Sequence, residues 1–112
     1  MLRSAKDFAE LQRSRRADGD ELVAVRYRRT GLAVTRFGFA TSSKLGGAVV
    51  RNRVRRRLRS ILRGLGPRLE SGWDVLISAR PAAAMASQAR LGGSVETALR
   101  SAGILKGVAQ DR

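Results

Sequence analysis

The spacing of apolar and polar residues changes several times along this chain, and each change marks an element. Over residues 22–29 the two kinds alternate: Val25 and Tyr27 share one face, Arg26 and Arg28 the other, which is the two-residue period of a strand. Residues 32–42 alternate again, with Phe37 and Phe39 set against Arg36, Gly38 and Ala40. Thr30-Gly31 between them has turn composition, so the pair is expected to form a hairpin. After a break at Gly46-Gly47 the period lengthens. Val50, Val54, Leu58, Ile61, Leu62 and Leu65 fall at the three- and four-residue spacing of one helix face, and Gly64, Gly66 and Pro67 end it. Residues 73–79 (WDVLISA) read as a short apolar strand closed by Arg80-Pro81. The Ala-rich residues 82–105 predict a last helix, broken at Gly92-Gly93 because each glycine costs about 1 kcal/mol relative to Ala. At the other end, Ser4 with Asp7 reads as a capping box opening a short helix. That helix carries Phe8 and Leu11 on one face and fades by Arg15, and residues 17–20 read as a turn.

The order α-β-β-α-β-α predicts a single α+β domain over residues 1–112, a small central sheet packed by helices. That length supports one modest core. With aromatics at only 4%, the core rests on Val, Leu, Ile and Ala, joined by Trp73 and Phe37.

Charge changes the picture. The chain carries 23 Lys and Arg against 9 Asp and Glu, a net +14, and 20 of the 23 are Arg. A surplus of this size repels itself unless a polyanion neutralises it. Nucleic acid is the first candidate and an anionic membrane surface the second. The distribution favours the first. From residue 22 to residue 69 there is no acid and there are 13 Lys or Arg. At about 100° per residue the apolar face of the long helix covers an arc of roughly 120°. Asn52, Arg53, Arg56, Arg59 and Arg63 fall opposite it, with Arg51 and Arg55 at one edge and Arg57 at the other. A solvated helix ordinarily interleaves acids for i,i+4 pairs, and this one has none. Guanidinium forks suit phosphate because they donate two hydrogen bonds at once, and the helix start at Gly46-Gly47 offers free N–H groups as well.

Other chemistries are excluded by composition. There is no Cys and no His, hence no disulfide, no Cys/His zinc site and no thiol or imidazole catalysis. No apolar run approaches the roughly 20 residues that span a bilayer. The charged N-terminal residues do not form a signal peptide, so a cytoplasmic protein is expected.

Residues 36–59 (RFGFATSSKLGGAVVRNRVRRRLR) closely resemble the signature of the bacterial ribonuclease P protein family: a strand with alternating small residues, Ser-Lys, a Gly-containing turn, Ala-Val, then an Arg-Asn-Arg helix, here Arg51-Asn52-Arg53. Asp7-Phe8, residues 22–27 and WDVLISARP at 73–81 extend the likeness over almost the whole chain. The resemblance implies an α-β-β-(β)-α-β-α sandwich with a left-handed βαβ crossover around the basic helix. It implies a protein subunit that assists a catalytic RNA in removing the 5′ leader of precursor tRNA. The active site and its divalent metal (Mg2+) would be held mainly by the RNA, with none bound by the protein alone. Carried over residue by residue, the contacts to the catalytic RNA fall on Lys44, Arg51, Asn52, Arg53, Arg55, Arg56, Arg59 and Arg63. The leader cleft falls on Phe8, Val23, Val25, Arg36 and Arg80. The partners implied are the ribonuclease P RNA and precursor tRNA, with no membrane and no obligate protein partner. Gly47 stands where the family usually has Asn, and Gln12 and Val25 stand where it usually has aromatics, so leader contacts would lean on shape and charge rather than stacking.

Three alternatives have different signatures. A nuclease in its own right needs clustered carboxylates for metal ions, and the nine acids all lie outside residues 22–69. A DNA-binding helix-turn-helix needs a partner helix before the basic one, where a strand is expected. A membrane-surface helix would carry Trp or Phe on its apolar face, and this one carries neither. A ribosomal or other structural RNA-binding protein with no role in tRNA processing fits the composition equally, and only the ordered motif set argues against it.

Overall fold

The computed structural model describes Ala9, Leu11 and residues 17–106. The expected first helix, with Ser4, Asp7, Phe8 and Gln12, otherwise lies outside the described residues, although Ala9 and Leu11 are both helical. Four strands, β1 (Ala17–Gly19), β2 (Val23–Arg29), β3 (Arg36–Thr41) and β4 (Trp73–Ala79), form one sheet in the order β1-β2-β4-β3. β2 runs antiparallel to β1 and β4, and β3 runs parallel to β4. Two α-helices, α1 (Ala48–Leu65) and α2 (Gln88–Ser101), complete the described fold.

β2 and β3 do not form the expected hairpin: β4 lies between them. The reason is in the composition of β4, buried at every position except Ser78. A strand buried on both faces is best placed at the centre, where both backbone edges are hydrogen-bonded and both faces covered. β3 then pairs parallel to β4, which requires a crossover, and α1 supplies it. The loop after β2 passes over the entry to β4 instead of turning back. Thr30 donates to the Gly72 carbonyl at 2.8 Å, and the Thr35 hydroxyl donates to the Glu70 carbonyl at 2.5 Å.

Two further expectations are corrected. Residues 17–20 are not only a turn, because β1 pairs with β2. The reversal is made by Asp20, whose Oδ1 accepts the Leu22 and Val23 N–H groups at 2.8 and 3.2 Å. The last helix starts at Gln88, after a 3-10 turn at Pro81–Met85, and runs unbroken through Gly92-Gly93. Ser87 caps it by accepting the Arg90 N–H, and Leu91, Val95, Ala98 and Leu99 bury one face. Burying that stripe, at about 1.5–3 kcal/mol per large side chain, outweighs the two glycines.

Alternation along the strands sorts the core. Val23, Val25, Val75 and Ile77 pack with Val54, Leu58 and Leu62 of α1 and with Leu91, Val95 and Leu99 of α2. Trp73 joins this cluster as expected, whereas Phe37 is only partly buried at its margin. On the opposite face Leu11 covers Leu76 beside Ala40.

Candidate nucleic-acid interface

α1 is set by its first residues. Gly46 has φ 145°, and a Cβ there would lie 3.0 Å from the Val50 side chain, so the chain can enter the helix tightly only without one. Gly47 is the N-cap, with no side chain over the first amide groups and no acid in the first turn. Val54, Leu58, Leu62 and Leu65 anchor the helix. That registration leaves Asn52, Arg56, Arg59 and Arg63 exposed, and Arg51, Arg53, Arg55 and Arg57 half-buried. Among the described residues, no ion pair involves an arginine of α1; the acids that pair do so with Arg28, Arg36, Arg68, Arg90 and Arg100.

The eight expected contact residues are not equivalent. Arg53 lies half-buried and donates to the Ala84 carbonyl at 3.3 Å, so part of its hydrogen-bonding capacity is spent inside the protein. Arg57 does the same to the Ala86 carbonyl at 3.0 Å. Arg55 donates to Asn52 Oδ1 at 2.9 Å, which holds two of the expected contact residues together on the surface. Lys44 is exposed on the 3-10 turn Ser43–Leu45, which packs against Pro81–Met85. Exposed Arg80 immediately precedes that second turn, and its backbone N–H is tied to the Leu22 carbonyl at 2.8 Å. The structure thus gathers Lys44, Arg80 and the start of α1 at the end of the sheet where β3 and β4 finish. Arg36 sits at the other end, opposite Asp74 in the register.

Val23 and Val25, expected in the cleft, are both 0% exposed. They point into the helix-covered core, and a groove on that side is already filled. The residues of β2 that face the other way are Ala24, Arg26 and Arg28, which align across β4 with Ser78, Leu76 and Asp74 and beyond it with Ala40, Gly38 and Arg36. This face is partly covered by Leu11 and carries the half-buried Arg26, Arg28 and Arg36. Phe8 lies outside the described residues.

Asp74, in the sequence only one of nine acids, has a place of its own in the structure. It is fully buried, accepting from Arg36 Nε at 2.7 Å and Nη2 at 2.6 Å and from Arg28 Nη2 at 3.0 Å. Burial pushes its carboxyl up. The Arg36 and Arg28 hydrogen bonds and charges more than offset this, so it titrates below its ordinary value. The pair is thereby held in place on the sheet face. A lone acid inside an otherwise apolar strand, WDVLISA, was the available signal. Nearby, the Arg29 guanidinium lies 4.8 Å from the Trp73 ring, which itself meets Tyr27 edge-on.

Such a surface can bind and orient a polyanion. Among the described residues, no group of three or more His, Cys, Asp or Glu is placed to hold a metal ion, and no helix is long and apolar enough to cross a membrane.

The sequence profile of the family described as Ribonuclease P matches residues 1–103. Curated relatives carry the description ribonuclease P protein component. One from Roseiflexus sp. is 36% identical over 94% of this chain and 87% of its own length, and one from Streptomyces avermitilis is 37% identical over 88% of each. Among solved structures, the Staphylococcus aureus RNase P protein superposes with a TM-score of 0.85 at 22% identity, covering 94% of this chain and 96% of that one. The Thermotoga maritima RNase P protein superposes with a TM-score of 0.78 at 22% identity, covering 86% and 91%. At such identities the likeness is one of fold.

Proposed function

Since the chain belongs to the ribonuclease P protein family, we propose that it binds the catalytic RNA of that ribonucleoprotein and the 5′ leader of precursor tRNA, and assists removal of the leader without supplying the reactive groups. The observation that carries this reading is the guanidinium field of α1, unpaired with any acid among the described residues. Lys44, Asn52, Arg55, Arg56, Arg59 and Arg63 engage RNA phosphates. Arg51 and Arg53 contribute from half-buried positions at the helix start. Arg80 extends this surface past the end of β4. The leader lies on the opposite sheet face, along Ala24, Arg26, Gly38 and Ala40, with Arg28 and Arg36 held by Asp74. Divalent metal would be bound mainly by the RNA, where it would activate the attacking water. The protein's part is electrostatic, since positive charge between two RNAs lowers their repulsion and with it the metal needed for productive binding.

Reconstitution with a cognate ribonuclease P RNA tests the reading. At low Mg2+ the complex should cleave precursor tRNA when neither component alone does. The RNA alone should recover cleavage when salt and Mg2+ are raised, and the protein alone should never cleave. Tight RNA binding with no gain in cleavage at low Mg2+ would favour a structural RNA-binding role instead.

A further inference from the structure

A hollow of about 430 Å³ lies between the edge strand β3 and the C-terminal half of α1, on the side of the sheet away from the basic face of β2. Its walls are Phe37, Phe39, Leu62 and Leu69, and its rim carries Arg59 and Arg63. The two rings are there because alternate residues of β3 point to the same side, and among the described residues no strand lies beyond β3. Both rings are only partly buried. The Arg59 guanidinium lies 6.0 Å from the Phe39 ring centroid. The volume falls within the range of small-ligand pockets.

Flat aromatic faces beside two guanidinium groups, with no carboxylate among the lining residues, match a planar ring system bearing a negative charge. An unstacked nucleobase with its phosphate has that chemistry: the base contacts the aromatic face and the phosphate takes the fork of an arginine. An apolar peptide side chain would use the rings and leave both charges without a role. We propose that this hollow is a second RNA subsite, which takes one unstacked base of the bound RNA against Phe37 and Phe39 with an adjoining phosphate on Arg59 and Arg63. The subsite rests on the RNA-binding reading of α1, whose arginines it shares, but adds recognition of a base to a surface otherwise specific only for phosphate.

The test compares a pentanucleotide of adenosine with an abasic pentanucleotide of equal length and charge, titrated into the full chain. The adenosine oligomer should bind more tightly. Phe39→Leu should reduce its affinity about tenfold, the loss of one stacking contact, while leaving the abasic oligomer's affinity unchanged. A measurement without any variant guards against loss of folding: adenosine 5′-monophosphate should shift the ring resonances of Phe37 and Phe39, and ribose 5-phosphate should not. A base preference that survives Phe39→Leu in a folded protein, or ring resonances that ignore the nucleotide, would overturn the subsite and leave the phosphate-binding reading of α1 intact. A flat salt response with the ribonuclease P RNA itself would remove both. Concentration-dependent dimerisation abolished by Phe39→Leu would assign the hollow to a second copy of the chain and overturn the proposal.

Discussion

Two arginines share one carboxylate at the start of β4, and water does not reach that carboxylate. Replacing it with an amide removes the negative charge that both guanidinium groups share. Asp74→Asn should therefore cost about 3 kcal/mol at pH 6, measured by chemical denaturation. The pH dependence has a definite sign. Because the folded group titrates below its ordinary value of 3.8, its contribution is complete above that value and is lost as pH falls through the lower folded one. Asp20 behaves alike: burial raises it, and the hydroxyl of Ser94, the amides of Leu22 and Val23 and the charge of Arg90 bring it down further than burial lifts it. Wild type should lose stability steeply as pH falls below 3.8, and Asp74→Asn less steeply; identical acid limbs would show that the carboxylate contributes nothing of this kind. On the same strands, Val25→Ala should cost about 2 kcal/mol by opening a cavity in a closed core. Leader affinity per folded molecule should stay as it was, since Val25 faces the helices.

At the scale of the element, α1 divides by tether. Arg55, Arg56, Arg59 and Arg63 reach no backbone acceptor elsewhere in the described fold, whereas Arg53 and Arg57 hold the 80s segment through carbonyl groups. Single Ala replacements in the first group should change stability by less than about 0.5 kcal/mol. Each should lower the log–log salt slope of RNA binding by about one unit. Arg57→Ala should instead cost about 1 kcal/mol of stability. Arg53→Ala should show both effects. If replacements in the first group unfolded the protein without lowering affinity per folded molecule, the arginines would be structural and the interface would lie elsewhere.

For the whole molecule, a net charge of +14 on 112 residues sets the mode of action. Association with its RNA should weaken steeply with salt, with a slope of about −5 or beyond if six phosphates are engaged. Chemistry should be indifferent to the protein's acids. Asp18, Asp20, Glu21 and Glu70, each replaced by Ala, should leave single-turnover cleavage by the reconstituted complex at saturating Mg2+ nearly unchanged, although Asp20→Ala will lower stability. A carboxylate whose loss abolishes that step with folding and binding intact would move the active site into the protein.

What the sequence by itself determined is what depends on neighbours within a few residues. The faces of α1 follow from a 3.6-residue period, so Val54, Leu58, Leu62 and Leu65 are buried and Arg56, Arg59 and Arg63 exposed, as the spacing predicts. The alternation of β2 and β3 was legible for the same reason. Partners distant along the chain were decided only by the tertiary structure. Whether β2 pairs with β3 or with β4 leaves each strand's own pattern unchanged, and the central place goes to the strand that is buried on both faces. The side of the sheet that α1 and α2 cover was likewise undetermined: Val25 and Arg26 alternate whichever face receives the helices. Once α1 and α2 cover the valine face, Val23 and Val25 become core, and Ala24, Arg26 and Arg28 lie on the other face. The partnership of Asp74 with Arg36 and Arg28 spans 38 and 46 residues of chain, and only the antiparallel β2–β4 register together with the parallel β3–β4 register brings all three together.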